Sequence, residues 1–240
     1  MLSIIIPTLN EEKCLPFLLE AIKKQTFKDY EVIIADAGSK DKTLEVAKSF
    51  GCKVTSGGLP AKGRNEGTKI AQGDTFLFMD ADNIYLPENF LEQLTTEFKK
   101  RNLGVATFPI YPNGNLFDKF AYGLYNLWAQ LSQKFLPHAT NSAIVKRGIH
   151  QKVGGFDEEI KIAEDHIYAR QASRFAKFGF IKTKPVLTST RRFEVDGRFR
   201  TYSKYLLAAL YMLIFGPIKS DIFKYRLNSF RNKKKPLKSP

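Results

Sequence analysis

Two aspartates, Asp80 and Asp82, close the apolar run Thr75-Phe76-Leu77-Phe78-Met79. In extended backbone, residues i and i+2 face the same way, so the two carboxylates converge. Like charges that close are costly unless a cation or a hydrogen-bond donor sits between them. A hard divalent ion accepts oxygen ligands and completes its shell with waters and ligand phosphates. In an open α/β sheet, ligands bind beyond the carboxyl ends of the strands. Asp80-Ala81-Asp82 therefore reads as a metal-dependent nucleotide site. A solvated turn in which Asp82 or Asn83 caps the next helix accounts for the same residues.

The elements that must position such a site are legible around it. Residues 2–6 (Leu-Ser-Ile-Ile-Ile) form a strand stopped by Pro7, and residues 31–35 a second buried strand. Residues 53–56 and 75–79 are the third and fourth. Helical spacing runs over 11–25 (Leu15, Leu18, Leu19, Ile22), 42–50 and 61–71. Strand and helix alternate with short connections, which predicts βαβ units and a mostly parallel, Rossmann-like sheet flanked by helices. Further on, a helix is expected from 87 to about 101 and a strand over 105–109. A long aromatic helix or helix pair follows over 115–136, then a strand over 142–146, a helix over 163–178 and a strand over 186–190. Parallel neighbours put three strand ends on one edge: Pro7-Thr8-Leu9-Asn10-Glu11, Asp36-Ala37-Gly38-Ser39 and Asp80-Ala81-Asp82. Such an edge offers carboxylates and amides for a base and ribose, and a metal for phosphates. Taken singly, Thr8 or Asn10 is also a helix cap, and Gly38-Ser39 also a turn.

The 240 residues carry 38 Lys and Arg against 24 Asp and Glu, a formal charge of +14. That excess favours anionic partners: nucleotide phosphates, nucleic acid or an acidic membrane surface. The acids line the strand ends and the bases gather in the tail, the reverse of what a nucleic-acid-binding face needs. Cys14 and Cys52 have no metal-ligand spacing, which points to core thiols in a reduced, cytoplasmic setting. The N-terminal apolar run meets Asn10-Glu11-Glu12 too soon for a signal peptide, and no run reaches the roughly 18 apolar residues of a spanning helix.

Residues 3–12 (Ser-Ile-Ile-Ile-Pro-Thr-Leu-Asn-Glu-Glu) resemble the opening of family 2 glycosyltransferases. The resemblance continues through Asp36-Ala37-Gly38-Ser39-Lys40-Asp41-Lys42-Thr43, Gly63-Arg64-Asn65, Asp80-Ala81-Asp82 and Glu164-Asp165, and covers roughly 1–195. It implies the GT-A fold, a UDP- or GDP-sugar donor, Mg²⁺ or Mn²⁺, and transfer with inversion at the anomeric carbon. By the same resemblance Pro7, Thr8, Asn10, Glu11 and Asp36 meet the base and ribose, and Gly38 and Ser39 let the backbone approach them. Arg64 matches a basic position that reaches the nucleotide, Asp80 and Ala81 lie near the ribose, and Asp82, with Asp80, holds the metal. Asp165 is the implied general base, with Glu164 orienting it or touching the acceptor. A charged first helical turn is the plain alternative for Glu164-Asp165.

Arg191 and Arg192 are candidates for a diphosphate or an anionic acceptor, or an ordinary basic surface. His138 lies where the family leads into its acceptor site. Residues 1–200 are expected to be the catalytic domain, and 201–240 an apolar-then-basic helical appendage. The appendage reads either as an anchor at an anionic membrane interface or as a helix packed on the domain. The expected protein is thus an inverting glycosyltransferase, cytoplasmic or peripheral at the cytoplasmic face of the membrane, acting on an acceptor hydroxyl or a lipid phosphate. Nucleotidyl transfer on a related fold is the competing enzyme reading, but a Gly-rich phosphate loop after the first strand is missing. A non-catalytic basic nucleotide- or nucleic-acid-binding module is the competing binding reading.

Overall fold

The computed structural model describes residues 1–220 and residue 222. The chain runs β1 (Leu2–Thr8), α1 (Leu15–Lys23), β2 (Tyr30–Asp36), α2 (Thr43–Ser49), β3 (Lys53–Ser56), α3 (Pro60–Ile70) and β4 (Thr75–Phe78). It continues through β5 (Asn83–Tyr85), α4 (Phe90–Lys100), β6 (Val105–Thr107), β7 (Ile110–Pro112), α5 (Leu116–Ser132) and β8 (Ala143–Lys146). It then forms α6 (Arg147–Val153), α7 (Glu164–Ser173), β9 (Phe178–Phe180), β10 (Val186–Thr188), α8 (Arg191–Asp196) and α9 (Arg198–Phe215).

Seven strands form the main sheet in the order β3-β2-β1-β4-β8-β6-β9, and β8 runs antiparallel to both its neighbours. The other pairings are parallel. The central strands are apolar at consecutive positions because both faces are covered. Ile4, Ile6, Leu77 and Leu18 pack on one side, with Ile5, Ile33, Phe76, Phe78 and Tyr168 on the other. Each such fully buried side chain contributes roughly 1.5–3 kcal/mol. A small sheet, β5-β10-β7, lies apart from the main one.

Two glycines set how closely α3 lies on β1. A Cβ on Gly67 would collide with Ile5, and one on Gly63 would come within 2.9 Å of the Pro7 Cβ. That close approach carries Arg64, between them, to the end of β1. Helix α5 starts at a capping box in which Asn115 accepts from the Asp118 N–H and Asp118 accepts from the Asn115 N–H.

Several boundaries move. The first helix begins at Leu15 rather than 11, because residues 11–14 turn before it. The helix expected over 163–178 stops at Ser173, and β9 takes Phe178 into the sheet edge. The expected domain boundary at 200/201 falls inside α9, which starts at Arg198 and is tied to α5 by Arg198–Asp118. The basic run Lys224, Arg226, Arg231 and Lys233-Lys234-Lys235 lies outside the described residues.

Candidate functional site

Register brings the three strand ends together. Thr8 pairs with Asp36 across β1 and β2, and the Met79 N–H donates to the Ile5 carbonyl just before Asp80. The first end is built around Asp36. Its Oδ1 accepts from the Thr8 hydroxyl at 3.0 Å and the Ser39 hydroxyl at 2.5 Å. Its Oδ2 accepts the N–H groups of Gly38 at 2.9 Å and Ser39 at 2.7 Å. The turn needs Gly38 at φ +86°, a conformation that side chains resist. Asn10, at φ +55°, donates its N–H to the Ser39 hydroxyl and accepts the Lys40 N–H on its own side chain. Pro7 sits opposite Ala35 in the sheet.

The second end is a cluster of carboxylates around buried arginines. Arg64 donates to Asp80 Oδ1 at 2.8 Å and to Glu164, which lies 100 positions away in sequence, with the Phe156 ring 5.2 Å from the guanidinium. Burial opposes its charge, and Glu164, Asp80 and Asp165 more than offset that, keeping it protonated. Burial pushes Asp80 up to about 7, with Arg64 pulling it down and Asp82, Glu164 and Asp165 pushing it further up. Glu11 holds Arg191 through both oxygens at 2.9 Å, and Arg191 also donates to the Cys14 sulfur at 3.3 Å. Burial raises Glu11 to about 7 despite that pair, and raises the Cys14 thiol to about 12. This edge therefore gathers Glu11, Asp80, Asp82, Glu164 and Asp165 around Arg64 and Arg191.

Among the described residues, no group of three or more His, Cys, Asp or Glu forms a protein-only metal cage. A hard cation of the Mg²⁺ or Mn²⁺ kind does not need one, since one or two carboxylates plus ligand phosphates suffice. The Asp82 backbone is pinned, its carbonyl accepting from the Ser189 N–H at 2.9 Å and the Thr188 hydroxyl at 3.4 Å. Its carboxylate, among the described residues, has no hydrogen bond or ion pair. A fixed, available oxygen pair beside a crowd of acids suits such a cation. Ala81 is buried in the core, so only its backbone faces the edge.

The third part is Asp165, at the start of α7. Its Oδ2 accepts the Asn141 N–H at 3.1 Å and its Oδ1 the His166 N–H at 2.9 Å. Ala163 before it has φ +59° and Asn141 has φ +62°, so left-handed backbone flanks the carboxylate from both sides. The His138 and His166 rings lie 4.8 Å apart, and the Tyr125 hydroxyl is 3.4 Å from His166 Nε2. Burial, with His166 nearby, holds His138 down at about 4. Arg192 turns the other way and donates to the Tyr205 hydroxyl at 3.3 Å.

The sequence put the ends of the first, second and fourth strands on one edge, and the structure brings Thr8, Asp36 and Asp80 there; Arg64, Glu164 and Asp165, named from the resemblance alone, and Arg191, left open between an anion site and plain surface, lie beside them. The sequence missed Tyr125 and Asn141. An Asn just ahead of a strand was the only signal for the second. The mutual pairing of Glu11 with Arg191, 180 positions apart, had no signal.

The model of one protein family, glycosyl transferase family 2, matches residues 3–156. The chain belongs to that family. Relatives include an uncharacterized glycosyltransferase of Rickettsia typhi, 26% identical over 185 residues, 69% of this family 2 chain and 56% of the relative. Another is the poly(ribitol-phosphate) beta-N-acetylglucosaminyltransferase TarS of Staphylococcus aureus, 36% identical over 188 residues, 71% of this chain and 32% of TarS. The chain thus spans between about a third and somewhat over half of these two relatives. Among solved structures, TarS 1–349 with UDP-GlcNAc aligns at TM-score 0.65 and 23% identity, covering 79% of this chain and 58% of that one. The mannosyltransferase PcManGT of Pyrobaculum calidifontis, with GDP-Man and Mn²⁺, aligns at 0.66 and 19% identity, covering 86% and 61%. These likenesses establish the fold, which is of the GT-A type.

Proposed function

We propose that this chain is an inverting glycosyltransferase that moves a sugar from a UDP- or GDP-sugar to an acceptor hydroxyl. The observation that carries the reading is the strand-end edge where Arg64 draws Asp80, Glu164 and Asp165 together from separate segments, with Asp82 beside Asp80 and the Asp36 turn at a neighbouring strand end. The Asp36 turn, with Thr8, Glu11, Gly38 and Ser39, receives the base and ribose, and Pro7 and Asn10 shape its wall. Four donors already occupy the four lone-pair positions of Asp36, so a nucleotide hydroxyl binds there by displacing the Thr8 or Ser39 hydroxyl.

Asp82, with Asp80, would hold Mg²⁺ or Mn²⁺. When bound, the cation supplies charge neutralisation for the departing diphosphate. Arg64 ties Asp80 to Glu164, and Glu164 keeps the start of α7 in register. Asp165 takes the proton of the acceptor hydroxyl as that oxygen bonds to the anomeric carbon and the nucleoside diphosphate leaves with its bonding pair. Two backbone N–H groups already aim its oxygens. Base and metal come from distant segments, as attack from the face opposite the leaving group requires. The exposed apolar helix α5, which carries Tyr125 beside His166, favours a lipid-linked acceptor, and with it work at the cytoplasmic face of the cell membrane.

Thermal unfolding with UDP and GDP, each with and without Mn²⁺, tests this. Ligand at a hundredfold excess over its Kd adds about 2.7 kcal/mol, a rise of roughly 5–10 °C for a chain of this size. The rise is expected to need Mn²⁺, to vanish in Asp82→Ala and to persist in Asp165→Asn. A folded protein that no nucleotide stabilises would refute the reading.

A further inference from the structure

Helix α5 is built inside out. Asp118, Asn126 and Ser132 are buried, whereas Phe117, Phe120, Leu124, Leu127 and Leu131 point outward. Asp118 is 0% exposed and Phe120 66%. The outward residues recur at intervals of three and four, so they form one continuous stripe. Helix α9 repeats the pattern: Thr201 and Ala208 face inward, and Leu206, Leu210 and Ile214 face outward. The two helices are tied together at their N-terminal turns, where the Phe117 ring also meets Tyr202 edge-on at 5.5 Å. The buried Asp118 accepts from Arg198 at 3.0 Å and from the Tyr202 hydroxyl at 3.1 Å, and Tyr202 stacks on Phe193 at 5.0 Å. A buried carboxylate thus sits where a core would put leucine, and leucines sit where water would put carboxylates.

Exposed apolar stripes on two linked helices mark an interaction surface. Its charged surroundings select the occupant. Lys119 and Lys134 on and just after α5, and Arg200 on α9, are exposed beside the stripe. By sequence alone, residues 223–240 carry Lys224, Arg226, Arg231, Lys233, Lys234, Lys235 and Lys238 and no acidic residue, part of the chain's net charge of +14. A second copy of a chain with charge +14 would bring like charge against like. An anionic bilayer supplies both an apolar medium for the stripe and phosphates for the basic rim. No helix among the described residues is long and apolar enough to cross a membrane, so the contact is interfacial.

We propose that the paired outer faces of α5 and α9 dock on an anionic lipid surface. The binding claim stands by itself; its use, delivering a lipid-linked acceptor to Asp165, rests on the glycosyltransferase reading. Helix α5 links the two, because the Tyr125 hydroxyl on its inner side donates to the Ala139 carbonyl and meets His166 next to Asp165.

The test is co-sedimentation of the full chain with vesicles of phosphatidylcholine alone and of phosphatidylcholine mixed with phosphatidylglycerol. Binding is expected to the mixed vesicles, weaker with added salt. Phe120→Glu with Leu124→Glu, and separately Leu206→Glu with Leu210→Glu, change only exposed positions. Each pair is expected to lower binding about tenfold or more while leaving the melting point and the nucleotide-dependent rise in place. Absence of vesicle binding by the folded wild type overturns the proposal, as does binding that both double variants retain. So does a wild-type dimer that the variants split, with no vesicle binding. Loss of the nucleotide response with vesicle binding intact would instead strike the catalytic reading alone.

Discussion

Arg64→Ala is expected to destabilise the protein strongly. The Arg64 side chain is 3% exposed, and its partners Glu164 and Asp80 are 13% and 31% exposed. Removing one member of a buried pair strands the other charge and costs about 3–5 kcal/mol. Here two carboxylates are stranded, but Asp80 is partly open to water, so its share is discounted toward the surface value of under about 1 kcal/mol. The Glu164 share, with the contact to Phe156, leaves about 3–4 kcal/mol. For a chain of this size that is a fall of roughly 6–16 °C in melting temperature. Removing the cation also removes the group that pulls Asp80 down, so Asp80 binds a proton more readily and the deficit shrinks as pH falls. Arg64→Lys keeps the charge but lacks the fork that spans both partners, and should fall between. Thermal unfolding followed by circular dichroism from pH 5 to pH 8 measures this. An Arg64→Ala protein that melts within about 2 °C of wild type at pH 8 would sink the argument that the arginine braces the two segments.

Glu31→Gln tests a carboxylate away from the site. Burial works against the Glu31 charge, but Lys53, Ser3 and the N–H groups of Gln72 and Gly73 bring it down to about 2 from a usual 4.5. A depressed carboxyl stabilises above its unfolded pKa, and loses that stability as pH falls through its folded one. Glu31→Gln should therefore cost about 1–2 kcal/mol at pH 7, since the partner Lys53 is 41% exposed and screened by water, and almost nothing near pH 2, read from urea unfolding across that range. A pH-independent deficit would refute this. Asp165→Asn should lower kcat by about 10²–10⁴ with little change in donor KM, and a kcat within tenfold of wild type would remove it from the role of base. Gly67→Ala should cost about 1–3 kcal/mol by driving α3 off Ile5, and should weaken nucleotide binding as Arg64 moves with the helix.

Strands β1, β2 and β4 were readable because their central residues are buried on both faces and so form short continuous apolar runs, residues 4–6, 32–35 and 76–78. Their ends announce themselves by an abrupt change to Asn, Asp and Glu. The strands β5, β7 and β9 were not readable as strands, since each holds an Asn, Pro or Gly that strands avoid, whereas the equally short β6 and β10 begin on Val and end on Thr. The antiparallel sense of β8 was equally hidden, because strand direction is set by what precedes it in space. The surroundings of Asp165 were the least legible. Asp165 gains its setting from Asn141 and Ala163, two left-handed residues whose neighbours say little. The Arg64–Glu164 and Glu11–Arg191 ties join segments that only the finished fold brings together. Helix α5 was recognised by its aromatics, but which of them faced out depended on the buried Asp118, which no pattern in the sequence marks.

The sheet order has a consequence for the growing chain. Strand β4 (Thr75–Phe78) pairs with β1 on one side, and its other side belongs to β8 (Ala143–Lys146), made much later. During synthesis the nascent protein therefore carries an open, strongly apolar edge for several seconds, at ordinary elongation rates. Such an edge invites pairing with another chain. Asp74 on one flank and Asp80 with Asp82 on the other act as gatekeepers against that. The carboxylates assigned to the donor thus have an earlier task, keeping unfinished chains apart, and an alanine there puts yield at risk before it touches turnover.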